Sequence, residues 1–154
     1  VRLRAEKDRS QIARDSKKDS KISFIDPTKA IATLAPVYDE ICKRTPGMIR
    51  RSEVWWNQLL SNSTVDTHPP IQLVSVRQDK NSYCSGYAIY RTLLTWDGRP
   101  GEALLNIVEA IGLSPKDNED LWRFFTNMDL VKEIRADYLP IDHPIFLQLH
   151  ADLS

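Results

Sequence analysis

The chain has 154 residues, 42% of them hydrophobic and 27% charged, which is one domain's worth of sequence and enough to bury a core. Its 21 Lys and Arg balance 21 Asp and Glu, so it lacks the excess basic charge of a general nucleic-acid binder or of a protein drawn to anionic membranes. Cys42 and Cys84 are too few for a disulfide scaffold, and no apolar run approaches the roughly 20 residues of a membrane span. A cytoplasmic protein with two buried, reduced, inert cysteines is expected.

Val1-Arg2-Leu3-Arg4 alternates as a strand does, and a chain that starts mid-strand reads as a piece of a longer polypeptide. Residues 5–20 are polar, with acids interrupting the bases. Residues 1–20 are therefore read as a charged linker or loop entered from a strand, and 21–154 as one domain. Ile22, Phe24 and Ile25 form a short strand. Asp26-Pro27 opens a helix, with Asp as the cap and Pro at a position that loses no hydrogen bond. Ala30, Ile31, Leu34, Val37, Tyr38 and Ile41 give it one apolar face, Pro36 predicts a break or kink, and Pro46-Gly47 ends it.

Ser52 caps a second helix carrying Val54, Trp55, Trp56, Leu59 and Leu60. After a loop over 61–70, residues 71–77 and 83–95 read as strands joined by a hairpin turn at Asp79–Ser82, with Gly86 marking a bulge. A turn at Asp97–Gly101 leads to a third strand running to about Ile111. Ser114-Pro115 opens a third helix, in which Asp117 and Glu119 complement the dipole. Leu130–Ala136 reads as a strand, and Asp142-His143-Pro144 leads to a last short helix through Leu149. This order predicts an α+β domain with helices packed on a mixed, mostly antiparallel sheet.

The chain, taken alone, lacks the residues of a complete catalytic site. It has no Gly-rich phosphate loop and no Gly-x-Ser-x-Gly elbow. His68, His143 and His150 fall in different elements, away from both cysteines, so no metal site is expected. The adjacent Trp55 and Trp56 point about 100° apart on a helix. One belongs to the core; the other serves as a core rim, a domain interface or a ligand platform. Trp122 reads as core first.

Several stretches, in order, carry a resemblance. They are Phe24-Ile25-Asp26-Pro27, Pro36-Val37-Tyr38-Asp39, Arg44 to Ile49, Arg51 to Trp56, Gly86 to Arg91, Leu121 to Phe124 and Met128 to Val131. Over roughly residues 21–149 the chain resembles the middle, degenerate GNAT-like domain of the Eis ("enhanced intracellular survival") N-acetyltransferases. The resemblance implies a parent with an N-terminal GNAT domain that binds acetyl-CoA, this middle domain without cofactor, and a C-terminal sterol-carrier-like domain. It implies transfer of acetyl groups to amines, including aminoglycosides, by a hexamer, with a Tyr of the first domain as acid and the terminal carboxylate as base. It also implies that this domain lends Trp and acidic residues to an acceptor-amine pocket. Trp55, Trp56, Glu109, Trp122 and Asp129 are the candidates, with no catalytic and no metal-binding residue in this chain. The alternative is a non-catalytic scaffold or oligomerisation domain.

Overall fold

Capping chemistry sets where the helices begin. In the computed structural model, which describes residues 22–61, 69–77, 83–94, 103–129, 131–137 and 139 and the backbone of 3–6, 21 and 152–153, each helical segment opens on a side-chain cap. Asp26 Oδ1 accepts from the Thr28 amide and hydroxyl, starting a 3₁₀ turn at Pro27–Lys29 that runs into α1, Ala30–Arg44. Ser52 Oγ accepts from the Trp55 amide at the head of α2, Glu53–Leu60. Ser114 and Asp117 form a reciprocal capping box at the head of α3, Pro115–Asn127.

α1 does not break at Pro36. It runs unbroken through that residue, contrary to the expectation from its sequence. Both Pro36 and Ala32, whose carbonyl loses its partner there, are exposed, so water can satisfy the freed oxygen.

The strands are β1 (Leu3–Glu6), β2 (Lys21–Phe24), β3 (Gln72–Arg77), β4 (Gly86–Leu94), β5 (Ala103–Gly112), β6 (Val131–Ala136) and β7 (Asp152–Leu153). They form one sheet in the order β2-β3-β4-β5-β6-β1-β7. Every neighbouring pair is antiparallel except β5 and β6, which are parallel and joined through α3. The expected mixed α+β fold is thus observed. β1 lies wholly within residues 1–20, the segment read as a linker or loop entered from a strand, and sits inside the sheet. The expected turns at 79–82 and 97–101 and the last helix at 142–149 lie outside the described residues.

Two apolar layers cover the sheet. On one face, Leu121, Trp122 and Phe125 of α3 pack on Val74, Val76, Ala88, Tyr90, Leu105 and Ile107. On the other, Leu34, Val37 and Tyr38 of α1 and Trp56 of α2 pack on Leu73, Tyr87 and Ile89. Strand alternation produces this division: in β4, Tyr87 and Ile89 serve one face while Ala88 and Tyr90 serve the other.

The bulge is not at Gly86, which pairs regularly with Val76 and Gly112. It lies in β5, where Ile89 faces Glu109 but Tyr90 faces Ile107, leaving Val108 as the extra residue. Gly86 instead meets a demand for close approach. A Cβ there would come within 3.0 Å of the Ile111 carbonyl, and one at Gly112 within 2.7 Å of the α3 backbone.

Among the described residues, the Tyr90 hydroxyl is one of the buried donors left over. It has no hydrogen-bond partner, and burial pushes its phenol from the ordinary 10.0 up to about 12. Tyr90→Phe should therefore hold or raise stability, by up to about 1 kcal/mol at neutral pH in urea unfolding. The native phenol keeps its proton between pH 10 and about 12 while the unfolded one loses it, so wild-type stability falls as pH rises through that window. The Phe variant should lose less there, and an equal alkaline loss in both proteins would refute the assignment.

Candidate functional site

The slip at Val108 reverses the facing of β5. Leu105 and Ile107 point to the α3 layer, and regular alternation would send Glu109 after them. With one extra residue inserted, Glu109 and Ile111 turn to the α1–α2 layer instead. Glu109 thereby meets two groups. The Tyr87 hydroxyl donates to its Oε1, from a neighbouring position on β4. Arg51, from the connection between α1 and α2, donates through Nη1 to Oε1 at 2.9 Å and through Nη2 to Oε2 at 2.5 Å. The side chains of Arg51 and Glu109 are only 11% and 17% exposed, so this is a bidentate ion pair largely out of water.

Aromatic faces surround the guanidinium. Its central carbon lies 3.9 Å from the Tyr38 ring centroid, 4.9 Å from Trp56 and 5.7 Å from Trp55. Trp56 is held edge-on between Tyr38 and Tyr87, with centroids 5.6 and 6.4 Å away. The Tyr38 hydroxyl donates to the Ile49 carbonyl at 3.0 Å, tying the connection to α1. Burial works against the charge on Arg51, but its hydrogen bonds and attraction to Glu109 win, and its pKa is raised. Burial, then the Glu109 charge, pushes the Tyr87 phenol far above its ordinary range, so it stays a neutral donor. Burial also raises Tyr38, with Arg51 pulling the other way.

Beside this group the sheet opens. β6 pairs with β5 only as far as Ile107↔Ala136, while β5 continues to Gly112. The gap, about 380 Å³, is walled by Val108 to Gly112, by Ala136 to Leu139 with residue 138 aside, and by Ile41 and Met48 from the α1 side. Its floor is mostly apolar, with Glu109 as one polar wall.

At one end of this cleft stands the head of α3, and four backbone amides at and just before it are committed. The Gly112 amide donates to Asn118 Oδ1, the Leu113 amide to the Ser85 carbonyl, the Ser114 amide to Asp117 Oδ2 and the Asp117 amide to Ser114 Oγ. Pro115 has no amide hydrogen. The Asp117 carboxylate, 1% exposed, also accepts from the Ser85 and Ser114 hydroxyls.

The five candidate residues do not form one group. Trp55, Trp56 and Glu109 converge on Arg51. Trp122 is buried in the opposite layer against Phe125, which is the core role its sequence implied. Asp129 is exposed just beyond α3. Trp56 is core at 2% exposure, whereas Trp55 is the outer ring at 45%. Sequence reasoning missed Arg51, Tyr38 and Tyr87 as a unit, since they spread over 49 residues of sequence (38 to 87) in elements that only the tertiary fold brings together. The cysteines are unbridged and half-buried rather than fully buried, and burial raises the Cys84 thiol. Among the described residues no cluster of His, Cys, Asp or Glu has the grouping to hold a metal ion, and no helix is long and apolar enough to cross a membrane.

A family model described as an acetyltransferase (GNAT) domain matches residues 47–152. The chain belongs to this family. It is 27% identical over 139 residues to an uncharacterized N-acetyltransferase of Streptomyces avermitilis, covering 88% of this chain and 33% of that protein. Its fold matches a GCN5-related N-acetyltransferase from Anabaena variabilis with a TM-score of 0.72 at 21% identity, over 97% of this chain and 35% of that one. Eis1 from Mycobacterium abscessus gives 0.70 at 20% identity, over 97% of this chain and 36% of that one. The GNAT chain spans about a third of the length of the curated relatives it matches.

Breaking the ion pair should cost the GNAT fold measurably. Arg51→Met leaves Glu109 charged and shielded from water, which should lower stability by about 3 kcal/mol. Arg51→Met combined with Glu109→Gln should recover part of that loss. Urea unfolding of the three proteins reads both effects, and a loss below about 0.5 kcal/mol in the single variant would reduce the pair to an ordinary surface bridge.

Proposed function

We propose that this chain is the cofactor-free, acceptor-side GNAT domain of a longer, Eis-like acetyl-CoA-dependent amine N-acetyltransferase. The commitment of the donors at the head of α3 carries this reading. A helix N-terminus holds a pyrophosphate by pointing free backbone N–H groups at it in a field that favours negative charge. Here Gly112, Leu113, Ser114 and Asp117 have spent theirs on Asn118, Ser85 and each other, and Pro115 has none. The Asp117 carboxylate occupies the place an anion would take. On this reading the head of α3 offers no phosphate cradle, and the acetyl group is supplied from elsewhere in the parent protein.

The acceptor role rests on a mostly apolar cleft with Glu109 in its wall and on the exposed outer ring of Trp55, while the exposed Asp129 lies beyond the opposite end of α3. A carboxylate and a π face offset the desolvation of a cationic amine, so an aminoglycoside-type polycation is the acceptor class this surface suits. Trp56 and Trp122 contribute through packing. Other domains of the parent, assembled as a homo-oligomer and by resemblance a hexamer, complete the site in this proposal. Cytoplasmic residence belongs to the same proposal. The scaffold reading draws on a different observation: Ile49, Val54 and Trp55 stand exposed together around the head of α2, as an apolar contact surface would.

Two measurements test the proposal. Calorimetric titration of the chain with acetyl-CoA should give no saturable heat, and a micromolar dissociation constant would overturn the cofactor-free reading. In the full-length parent, Trp55→Ala and Asp129→Asn should each raise the acceptor KM on the order of tenfold and leave the acetyl-CoA KM unchanged. Unchanged acceptor kinetics in both variants, with an altered assembly state for Trp55→Ala, would leave the scaffold reading in its place.

A further inference from the structure

Three aromatic rings and a carboxylate close around one cation, and that cation belongs to the chain. Tyr38, Trp55 and Trp56 present their rings to the Arg51 guanidinium, and Glu109 takes both of its terminal nitrogens. π faces with a bidentate carboxylate select a flat, delocalised cation carrying paired N–H groups over a compact ammonium.

The walls do not depend on their occupant. Tyr38 comes from α1, Trp55 and Trp56 from α2 and Glu109 from β5, whereas Arg51 enters from the connection between the helices. Trp56 is wedged between Tyr38 and Tyr87, and the Tyr87 hydroxyl donates to Glu109 Oε1, the oxygen that also accepts from Arg51 Nη1. Tyr38, Trp56 and Glu109 thus each have a support other than the guanidinium. The occupant fits less well than the walls do: Arg51 Nε is buried with no hydrogen-bond partner. A side chain tethered through that atom must carry an unsatisfied donor into the box.

We infer that this box is a guanidinium-binding site which the chain fills with Arg51 as an internal ligand, and which accepts a free guanidinium when that side chain is removed or withdrawn. Its external ligands are then of the alkylguanidinium class, the arginine side-chain terminus included. Arg51 acts as a latch that keeps the 45–52 connection on the sheet by occupying the site. The inference goes beyond the acceptor proposal and does not rest on it, because its readout is the stability of this chain and not acetyl transfer.

The test uses the full 154-residue chain carrying Arg51→Ala, with methylguanidinium chloride as the probe. Binding to the native state alone should raise the melting temperature of the variant by about 3 °C at saturating probe, against sodium chloride at equal ionic strength. Tetramethylammonium, which has the charge but no N–H groups, should recover less. Wild type, with its box filled, should not respond, and neither should Arg51→Ala combined with Glu109→Gln. If Arg51→Ala is unfolded in buffer, recovery of its far-ultraviolet dichroism on adding probe reads the same event. No gain over sodium chloride, no recovery of an unfolded variant, or an equal gain in the double variant overturns the inference.

Discussion

One extra residue in β5 decides where the chemistry of this domain lies. Side chains on a strand alternate, so a single inserted residue sends everything beyond it to the other face. At Val108 that insertion takes Glu109 from the layer of Leu121, Trp122 and Phe125 to the layer of Tyr38, Trp56 and Tyr87. A carboxylate in the first layer would sit among hydrocarbon. In the second it finds a tyrosine hydroxyl and a guanidinium. The same point is where β6 stops pairing with β5, so the bulge also marks the mouth of the cleft.

The ion pair that results is an expensive arrangement that its surroundings make tolerable. Removing both charges from water costs several kcal/mol per ion, and attraction in a low dielectric offsets that only with good geometry and further hydrogen bonds. Here the geometry is bidentate, Tyr87 supplies the additional donor, and aromatic faces replace part of the lost hydration of Arg51. The return is specificity of position. The connection between α1 and α2 is held at Ile49 by Tyr38 and at Arg51 by Glu109, so Trp56 turns inward and Trp55 outward.

The head of α3 shows the same economy with the opposite consequence. A helix N-terminus has donors that must be satisfied by something. In a phosphate-binding domain the ligand does so; here Ser114, Asp117 and Asn118 take several of them within the fold, and the chain passes so close at Gly112 that a Cβ there would meet the α3 backbone. The GNAT architecture thus carries a helix head capped by its own side chains beside the cleft.

Much of the fold could be read directly from the chain. The caps at Asp26, Ser52 and Ser114, the apolar periodicity of α1 and α3 and the alternation of β3 and β4 are local signals, set by hydrogen bonds and burial within a few residues. So was the absence of a Gly-rich loop, because a phosphate cradle needs particular residues at neighbouring positions. The core role of Trp122 followed from its place on an apolar helix face.

The site was different. Leu105, Ile107, Glu109 and Ile111 keep the same odd spacing in sequence, and nothing in that spacing announces that the face changes between the second and the third. The bulge arises from how β5 registers against β4, a contact between segments about 20 residues apart. The grouping of Arg51, Tyr38, Tyr87 and Glu109 depends on that register and on the packing of α1 and α2 above it. Composition and local pattern determined an α+β domain with no Gly-rich phosphate loop, and only the resemblance of its motifs pointed to the GNAT family. Only the tertiary structure decided which cation fills its aromatic box, because that choice belongs to side chains that meet in space and not along the chain.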